Sequence, residues 1–354
     1  MQPMSKIAIL VNEVLNPDDP ADADVWTQCR EVSEALSQLG HRTEQITCTL
    51  DLASVKKQLL SSAPDLVFNL VESLGGTDRL MPMATMLLDS LQIPHTGSGT
   101  RAIARSSDKI QAKIEMVGAG IRTPCWYDDR TQAWQSVANE TGPSVGERLI
   151  VKAAHEHSSF EMDNQAVFRY ESEHQVRQRL RARLQHTGTE HLVEQFVVGR
   201  EFNLAMLEID GAPRILAAGE IDFSGLPAEL PRIVNAKAKW VAESVEYEQT
   251  PRRFDFNAAD LPLLDQLSEL AIECWELFQL RGYGRVDFRV DSSADAYVLE
   301  VNANPCLSQD AGYIAAAEQA QLSYCDVIDA LVSAAVNDRR WGADQRHQPC
   351  AVSG

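Results

Sequence analysis

The residues that could do chemistry gather in one stretch near the C-terminus. Gly284-Arg-Val-Asp-Phe-Arg-Val-Asp291 alternates Val286, Phe288 and Val290 with Arg285, Asp287 and Arg289. After Ser-Ser-Ala-Asp, Tyr297, Leu299 and Val301 alternate with Val298, Glu300 and Asn302. A period of two marks strands with one apolar face, and the polar break makes the pair a hairpin. A symmetric turn over residues 292–295 sets Asp287 opposite Glu300 and Arg285 opposite Asn302. Cross-strand partners lie about 5 Å apart at Cβ, so two carboxylates and an amide oxygen converge beside one arginine. Opposed like charges need a neutraliser, and an oxygen-only donor set favours a hard cation such as magnesium.

Other elements must bring partners to that hairpin. Arg148-Leu-Ile-Val-Lys-Ala153 is a strand with a lysine inside an apolar run. A buried lysine is costly unless paired, so Lys152 is expected to meet an anion. The polar loop His155-Glu-His-Ser-Ser-Phe160 follows, able to lie over phosphates. Residues 191–198 and 201–207 read as two strands of one antiparallel meander, returning through 213–218. The segment 223–257 has little periodicity and carries Lys237, Lys239 and Trp240; a long irregular stretch of this kind reads as a lid. Toward the N-terminus, strands at 6–11, 42–48 and 64–71 alternate with helices at 23–39 and 51–61. That order implies a small parallel sheet, whose ligands bind beyond the strand C-terminal ends. Glu72 and Asp78 lie there and are candidates for gripping a substrate amine. Ser107-Asp-Lys109 opens a capped helix, 128–146 reads as irregular, and 172–185 as a helix with a solvated arginine face. Helices at 311–320 and 324–336 close the fold, and the tail after Asn337 reads as disordered.

Composition bounds the function. A chain of 354 residues, 44% hydrophobic and 23% charged, suits a globular protein of several subdomains. A formal charge of −19 argues against nucleic acid or an anionic membrane as partner. Apolar runs are too short for a membrane span or a signal-peptide core. The seven cysteines show neither Cys-x-x-Cys spacing nor a histidine cluster, which argues against zinc and for a reduced, cytoplasmic setting.

Taken together, the motifs resemble the ATP-grasp superfamily and, within it, the D-alanine–D-alanine ligase family. They are Pro94-His-Thr-Gly-Ser-Gly99, Ser107-Asp-Lys109, Leu149-Ile-Val-Lys152 with Ser158-Ser159, Val193-Glu-Gln-Phe-Val197 with Gly199-Arg-Glu-Phe202, Ala238-Lys-Trp240, and Gly284-Arg-Val-Asp287 with Leu299-Glu-Val-Asn-Ala-Asn-Pro305. The resemblance implies a mixed α/β protein of ATP-grasp fold. An N-terminal parallel α/β domain (1–100) would precede two subdomains, 101–190 and 191–336, whose antiparallel sheets clasp the nucleotide; 337–354 is the tail. Lys109 and Lys152 would bind ATP phosphates, with Ser158 and Ser159 above them. Glu194 and the Val197 backbone would meet adenine, Glu201 the ribose, and Lys239 the γ-phosphate. Asp287, Glu300 and Asn302 would hold magnesium, or manganese, and Arg285 and Lys239 would serve the reacting centre. The implied reaction activates a carboxylate as an acyl phosphate, which an amine then attacks; both are small molecules. The family also suggests a homodimer.

Departures from the family pattern fall at the substrate residues. The stretch after the third strand reads Asn69-Leu-Val-Glu-Ser-Leu-Gly-Gly76 rather than His-Gly-x-x-Gly-Glu-Asp-Gly. No N-terminal Ser-x-Glu-x-x-Val-Ser is evident. The tyrosine after the lid lysine is Trp240, Cys306 replaces a glycine, and Ala311 falls where a serine binds the second substrate's carboxylate. Cys306 reads as a packing residue beside the reacting centre. Trp240, Cys306 and Asp310 join Glu72 and Asp78 as candidate substrate residues. The expectation is a carboxylate–amine ligase with a non-standard amino-acid substrate pair. The alternatives are D-alanine–D-alanine ligase, a carboxylate kinase, and an ATP-grasp nucleotide binder without turnover.

Overall fold

The computed structural model describes residues 4–137, 142–156 and 162–338. It contains three sheets. The first is parallel, in the order β2-β1-β3, from β1 (Lys6–Asn12), β2 (Arg42–Cys48) and β3 (Leu66–Asn69). Helices α1 (Pro20–Gln38), α2 (Leu52–Ser62) and α3 (Pro82–Leu91) cover it. Val25, Cys29, Val32 and Leu36 of α1 recur at helical spacing and are buried toward the sheet. Asp24 and Gln28, one position earlier in each turn, form a neighbouring stripe that faces the centre of the molecule.

Two consecutive helices lead onward, α4 (Thr100–Ser107) and α5 (Lys109–Gly118). Asp108 separates them and caps α5, accepting from the N–H groups of Ile110 and Gln111 at 3.0 Å each. The sequence reading located α5 but not α4, whose polar surface hides a short buried side.

The middle sheet runs β5-β4-β8-β6-β7, all antiparallel: β4 (Trp126–Asp128), β5 (Ala133–Gln135), β6 (Arg148–Ala153), β7 (Val167–Arg169) and β8 (His191–Gln195). Helix α6 (Glu173–Thr187) packs on it through Val176 and Leu180. Part of the 128–146 stretch expected to be irregular is therefore strand, at β5.

The third sheet, also antiparallel, runs β11-β10-β9-β12-β13. It comprises β9 (Gly199–Ile209), β10 (Ala212–Ile221), β11 (Arg252–Arg253), β12 (Tyr283–Asp291) and β13 (Ala296–Asn302). Between β10 and β11 lie two short helices, α7 (Ala236–Trp240) and α8 (Val245–Glu248). One face of this sheet packs on α9 (Leu261–Phe278). The other meets α10 (Gly312–Gln319), α11 (Tyr324–Asn337) and the N-terminal unit in a shared core.

The expected meander is corrected here. β8 pairs with β4 and β6, while β9 pairs with β10 and β12. Alternation identifies a strand but not its neighbour. Phe196 is buried in the middle unit's core, and the chain passes from one sheet to the other at residues 196–198. Gly199 makes that crossing fit: a Cβ there would sit 1.9 Å from the Val290 carbonyl oxygen. A division at 190/191 would split the middle sheet, so the passage lies several residues later.

Candidate active site

A cavity of about 740 Å³ lies between the middle and third sheets and extends to the parallel sheet. The hairpin forms one wall. Its inner half has the expected register, Arg285 opposite Asn302 and Asp287 opposite Glu300. The outer half does not. Phe288 pairs with Val298, which leaves Leu299 as a bulge. The extra residue shifts the alternation, so Val298 and Val301 enter the core while Leu299 turns into the cavity. Leu299 was expected on the core face, and strict period-two reasoning cannot foresee an inserted residue.

Asp287 is the centre of this wall. Arg285 grips it with two parallel bonds, Nε to Oδ1 at 2.7 Å and Nη2 to Oδ2 at 2.8 Å. Asn203 of β9 donates to Oδ1 at 2.7 Å, and Asn302 to Oδ2 at 3.2 Å. Asn302 also reaches Glu300 at 3.4 Å. Burial raises the Asp287 carboxyl above its ordinary range; Arg285 opposes that shift and Glu300 adds to it. The donor set suits a hard cation: two carboxylates and an amide that can turn its oxygen inward. Among the described residues no group of three histidine, cysteine or acidic side chains has ligand geometry. A cation here would thus rely on Asn302 and on oxygens of a bound substrate.

Cations line the facing walls. Lys109, in the first turn of α5, donates to the Glu156 carbonyl at 2.7 Å and lies 3.8 Å from Glu300. Lys152 of β6 lies 2.6 Å from Glu194 Oε1. Burial opposes the Lys152 charge, but Glu194 outweighs it and the ammonium pKa is raised. Lys239, on α7, is lowered by burial and by Arg285, with Glu300, Asp287 and Glu201 acting the other way. Trp240 lies beside it on the cavity wall.

Glu194 does more than border the site. Its second oxygen is 2.7 Å from Lys113, and both side chains are 1% exposed. Lys113 also donates to Thr123 Oγ1 at 2.7 Å and the Pro124 carbonyl at 3.0 Å. It stands one helical turn after Lys109, on the same buried side of α5. Sequence reasoning missed Lys113; the i,i+4 lysine pair on an inward face was the available signal. Glu201 pairs with Arg289 at 2.8 Å. Arg289 lies between the rings of Phe196 and Phe223, 5.2 Å from each centroid, and donates to the Val197 and Gly199 carbonyls. Arg289 too was read only as part of an alternating strand.

The N-terminal unit contributes as well. Glu72 leaves β3 with its N–H on Asn12 Oδ1 at 3.2 Å. Gln28 of α1 ties Glu72 to Asp24, donating to Glu72 at 2.9 Å and Asp24 at 3.1 Å. Burial pushes the Glu72 carboxyl up to about 7, helped by Asp24 and opposed by Gln28 and Lys239. Asp24 accepts from Ser308 Oγ at 2.7 Å and from the Cys306 thiol at 3.2 Å. Burial and these acids raise the Cys306 thiol pKa well above its usual value, so it remains a hydrogen-bond donor.

Glu72, Trp240, Cys306 and Asp310 all reach the cavity. Asp24 joins them without having been foreseen. Asp78 is not among the lining residues; it begins a short 3-10 turn, and its N–H donates to Glu156 at 3.1 Å. Ser158 and Ser159 lie outside the described residues.

Comparison with known proteins fits this geometry. A family model described as "D-ala D-ala ligase C-terminus" matches residues 118–333. A D-alanine–D-alanine ligase of Saccharophagus degradans is 30% identical, over 75% of this chain and 76% of its own. The chain belongs to the D-alanine–D-alanine ligase family. Its members are ATP-grasp ligases, which matches the two antiparallel sheets around the cavity. An uncharacterized protein, y4sG, of Sinorhizobium fredii is 27% identical over 89% of this chain and 90% of its own length. In fold the chain is similar to a D-alanine–D-alanine ligase of Bacillus anthracis solved as a complex with ATP, with TM-score 0.64 at 18% identity, covering 94% of this chain and 97% of that one. Among the described residues no helix is long and apolar enough to cross a membrane.

Proposed function

We propose that the protein is an ATP- and magnesium-dependent ligase that forms an amide bond between an amino-acid carboxylate and a second amine, with a substrate pair other than two D-alanines. The observation that carries this reading is the layout of the cavity. Lys109, Lys152 and Lys239 line it together with the Asp287–Glu300–Asn302 wall that carries Arg285, and the Asp24–Glu72 pair lines it too, with Glu72 within electrostatic reach of Lys239.

Ile150, Ile221 and Leu299 give an apolar slot between the sheets for a purine ring. The Val197 N–H has no hydrogen-bond partner among the described residues and is suited to the ring edge. Glu201, held by Arg289, is placed for a ribose hydroxyl. Lys109 and Lys152 would take phosphate oxygens, with Glu194 and Lys113 keeping Lys152 extended. Asp287, Glu300 and Asn302 would hold magnesium, which neutralises phosphate charge as the γ-phosphoryl group moves. Arg285 and Lys239 then stand where negative charge develops on the carboxylate under attack and on the tetrahedral intermediate. Closure of 223–257 over this end keeps water from the acyl phosphate.

Asp24 and Glu72 fit the ammonium of the acyl donor. The departures of the Asn69–Gly76 stretch, Trp240, Cys306 and Ala311 from the family pattern favour a substrate pair different from that of the D-alanine–D-alanine ligases to which the chain is similar. Trapping tests the reaction class: ATP, magnesium, hydroxylamine and single amino acids should give ADP and an amino-acid hydroxamate. ADP release without hydroxamate would contradict acyl-phosphate chemistry.

A further inference from the structure

The family's serine for the second substrate's carboxylate is replaced here by Ala311, and α10 begins there without a side-chain cap. Arg285, on the hairpin wall of the cavity, is committed to both oxygens of Asp287. A different guanidinium occupies this side of the cavity. Arg252 and Arg253 form the short strand β11, and alternation sends their side chains to opposite faces. Arg253 is held by Glu220 at 2.7 Å. Arg252, opposite the cavity residue Ile221, turns into the cavity instead. Burial and Arg285 act against its charge and Tyr247, Asp310 and Cys306 support it, but among the described residues no carboxylate is within ion-pair distance.

The position next to Ala311 is shaped around this side chain. A Cβ on Gly312 would lie 2.7 Å from Arg252 Nε and 2.8 Å from its Cζ. Only a glycine lets the guanidinium rest against the start of α10. Sheet and loop thus place a planar cation on the cavity wall, beside the site of the missing hydroxyl. A guanidinium with no carboxylate of its own protein is matched by a carboxylate of the ligand, which it can bind through two parallel bonds.

We infer that Arg252 binds a carboxylate carried by the amine substrate, so that the acceptor is itself an amino acid and not a simple amine. This inference rests on the ligase reading and extends it to the second substrate. Arg252 touches the substrate away from the reacting atoms and sets specificity.

The test fixes the acyl donor as the amino acid that yields hydroxamate, then follows ADP release with acceptors offered as pairs, each amino acid against its own carboxamide. The intact protein should prefer the acid by about 100-fold in kcat/KM. Arg252→Ala should lose that preference through a raised KM for the acid, with the carboxamide and hydroxylamine reactions unchanged. Arg252→Lys should recover part of it. Gly312→Ala, which displaces the guanidinium at little expense to the fold, should follow Arg252→Ala. An unchanged acid-to-amide ratio in Arg252→Ala, or a carboxamide preferred by the intact protein, overturns the inference and leaves the ligase reading standing. Absence of ADP from the intact protein overturns both.

Discussion

The two ends of the cavity are built differently. At the nucleotide end, charges sit on regular elements: Lys109 and Lys113 on α5, Lys152 and Glu194 on β6 and β8, and Arg285, Asp287, Glu300 and Asn302 on β12 and β13. Most are paired, and Lys113 with Glu194 is closed to solvent. At the substrate end the groups come from the β3 exit, one stripe of α1 and the irregular stretch from Cys306 to Ala311. The 306–311 stretch is stapled to α1 by single hydrogen bonds, such as Ser308 to Asp24 and Leu307 N–H to Gln28. In the proposed reading, phosphate and metal chemistry, common to any substrate pair, falls to the rigid frame, and substrate identity falls largely to chain ends and connecting segments, which change without disturbing a sheet.

Substitutions at the two ends should therefore differ in kind, and the largest effect belongs to the frame. Glu300→Gln should lower turnover on the order of 10²–10³-fold while leaving the circular dichroism spectrum unchanged, because it removes charge opposite the γ-phosphate without changing shape. Activity within twofold of the parent would reject the metal wall. Lys113→Met comes next. It strands Glu194 with one cation in a closed site and should destabilise by about 3 kcal/mol in urea unfolding, with a raised KM for ATP as Lys152 loses its support. Loss of stability with an unaltered KM would confine Lys113 to the fold.

Glu72→Gln probes the other end and depends on pH. The folded carboxyl holds its proton to about 7, against 4.5 for the ordinary group. The folded state thus binds more protons between these values, and this group's contribution to stability falls as pH rises through that window and stays level above it. The glutamine variant should match the parent near pH 4 and exceed its stability at pH 8 by on the order of 1–3 kcal/mol. In activity the sign reverses. The parent's KM for the acyl donor should fall as pH rises through about 7, and the variant should lose that dependence. A parent KM flat from pH 6 to 8 would remove Glu72 from the ammonium site. The smallest effect is expected for Cys306→Ser, which keeps a donor to Asp24 and should change kcat by less than about threefold. A larger loss would give the thiol a role of its own.

The same contrast explains what was legible in the sequence. The hairpin could be read because alternation and a short turn fix the pairing of Asp287 with Glu300 and of Arg285 with Asn302. Lys152 stood out as a charge within an apolar strand. The bulge at Leu299 could not be read, since an inserted residue leaves no mark on composition. Nor could the separation of β8 from β9, which is decided by what Phe196 and Gly199 pack against. Asp24 escaped notice because a helix stripe of Asp24 and Gln28 looks like any solvated face until the strand beneath it is placed. Arg252 lay in a segment without periodicity, and its meaning depends on Gly312, sixty positions away in sequence and adjacent in space.

The central claim is that a ligase frame common to the D-alanine–D-alanine ligase family carries a different substrate end. Its most direct test is product mass after incubation with ATP, magnesium and an equimolar mixture of amino acids that includes D-alanine, with ADP counted in the same samples. The account predicts one ADP for each molecule of a mixed amino-acid amide, with D-alanyl-D-alanine absent or minor. D-alanyl-D-alanine as the main product would contradict it.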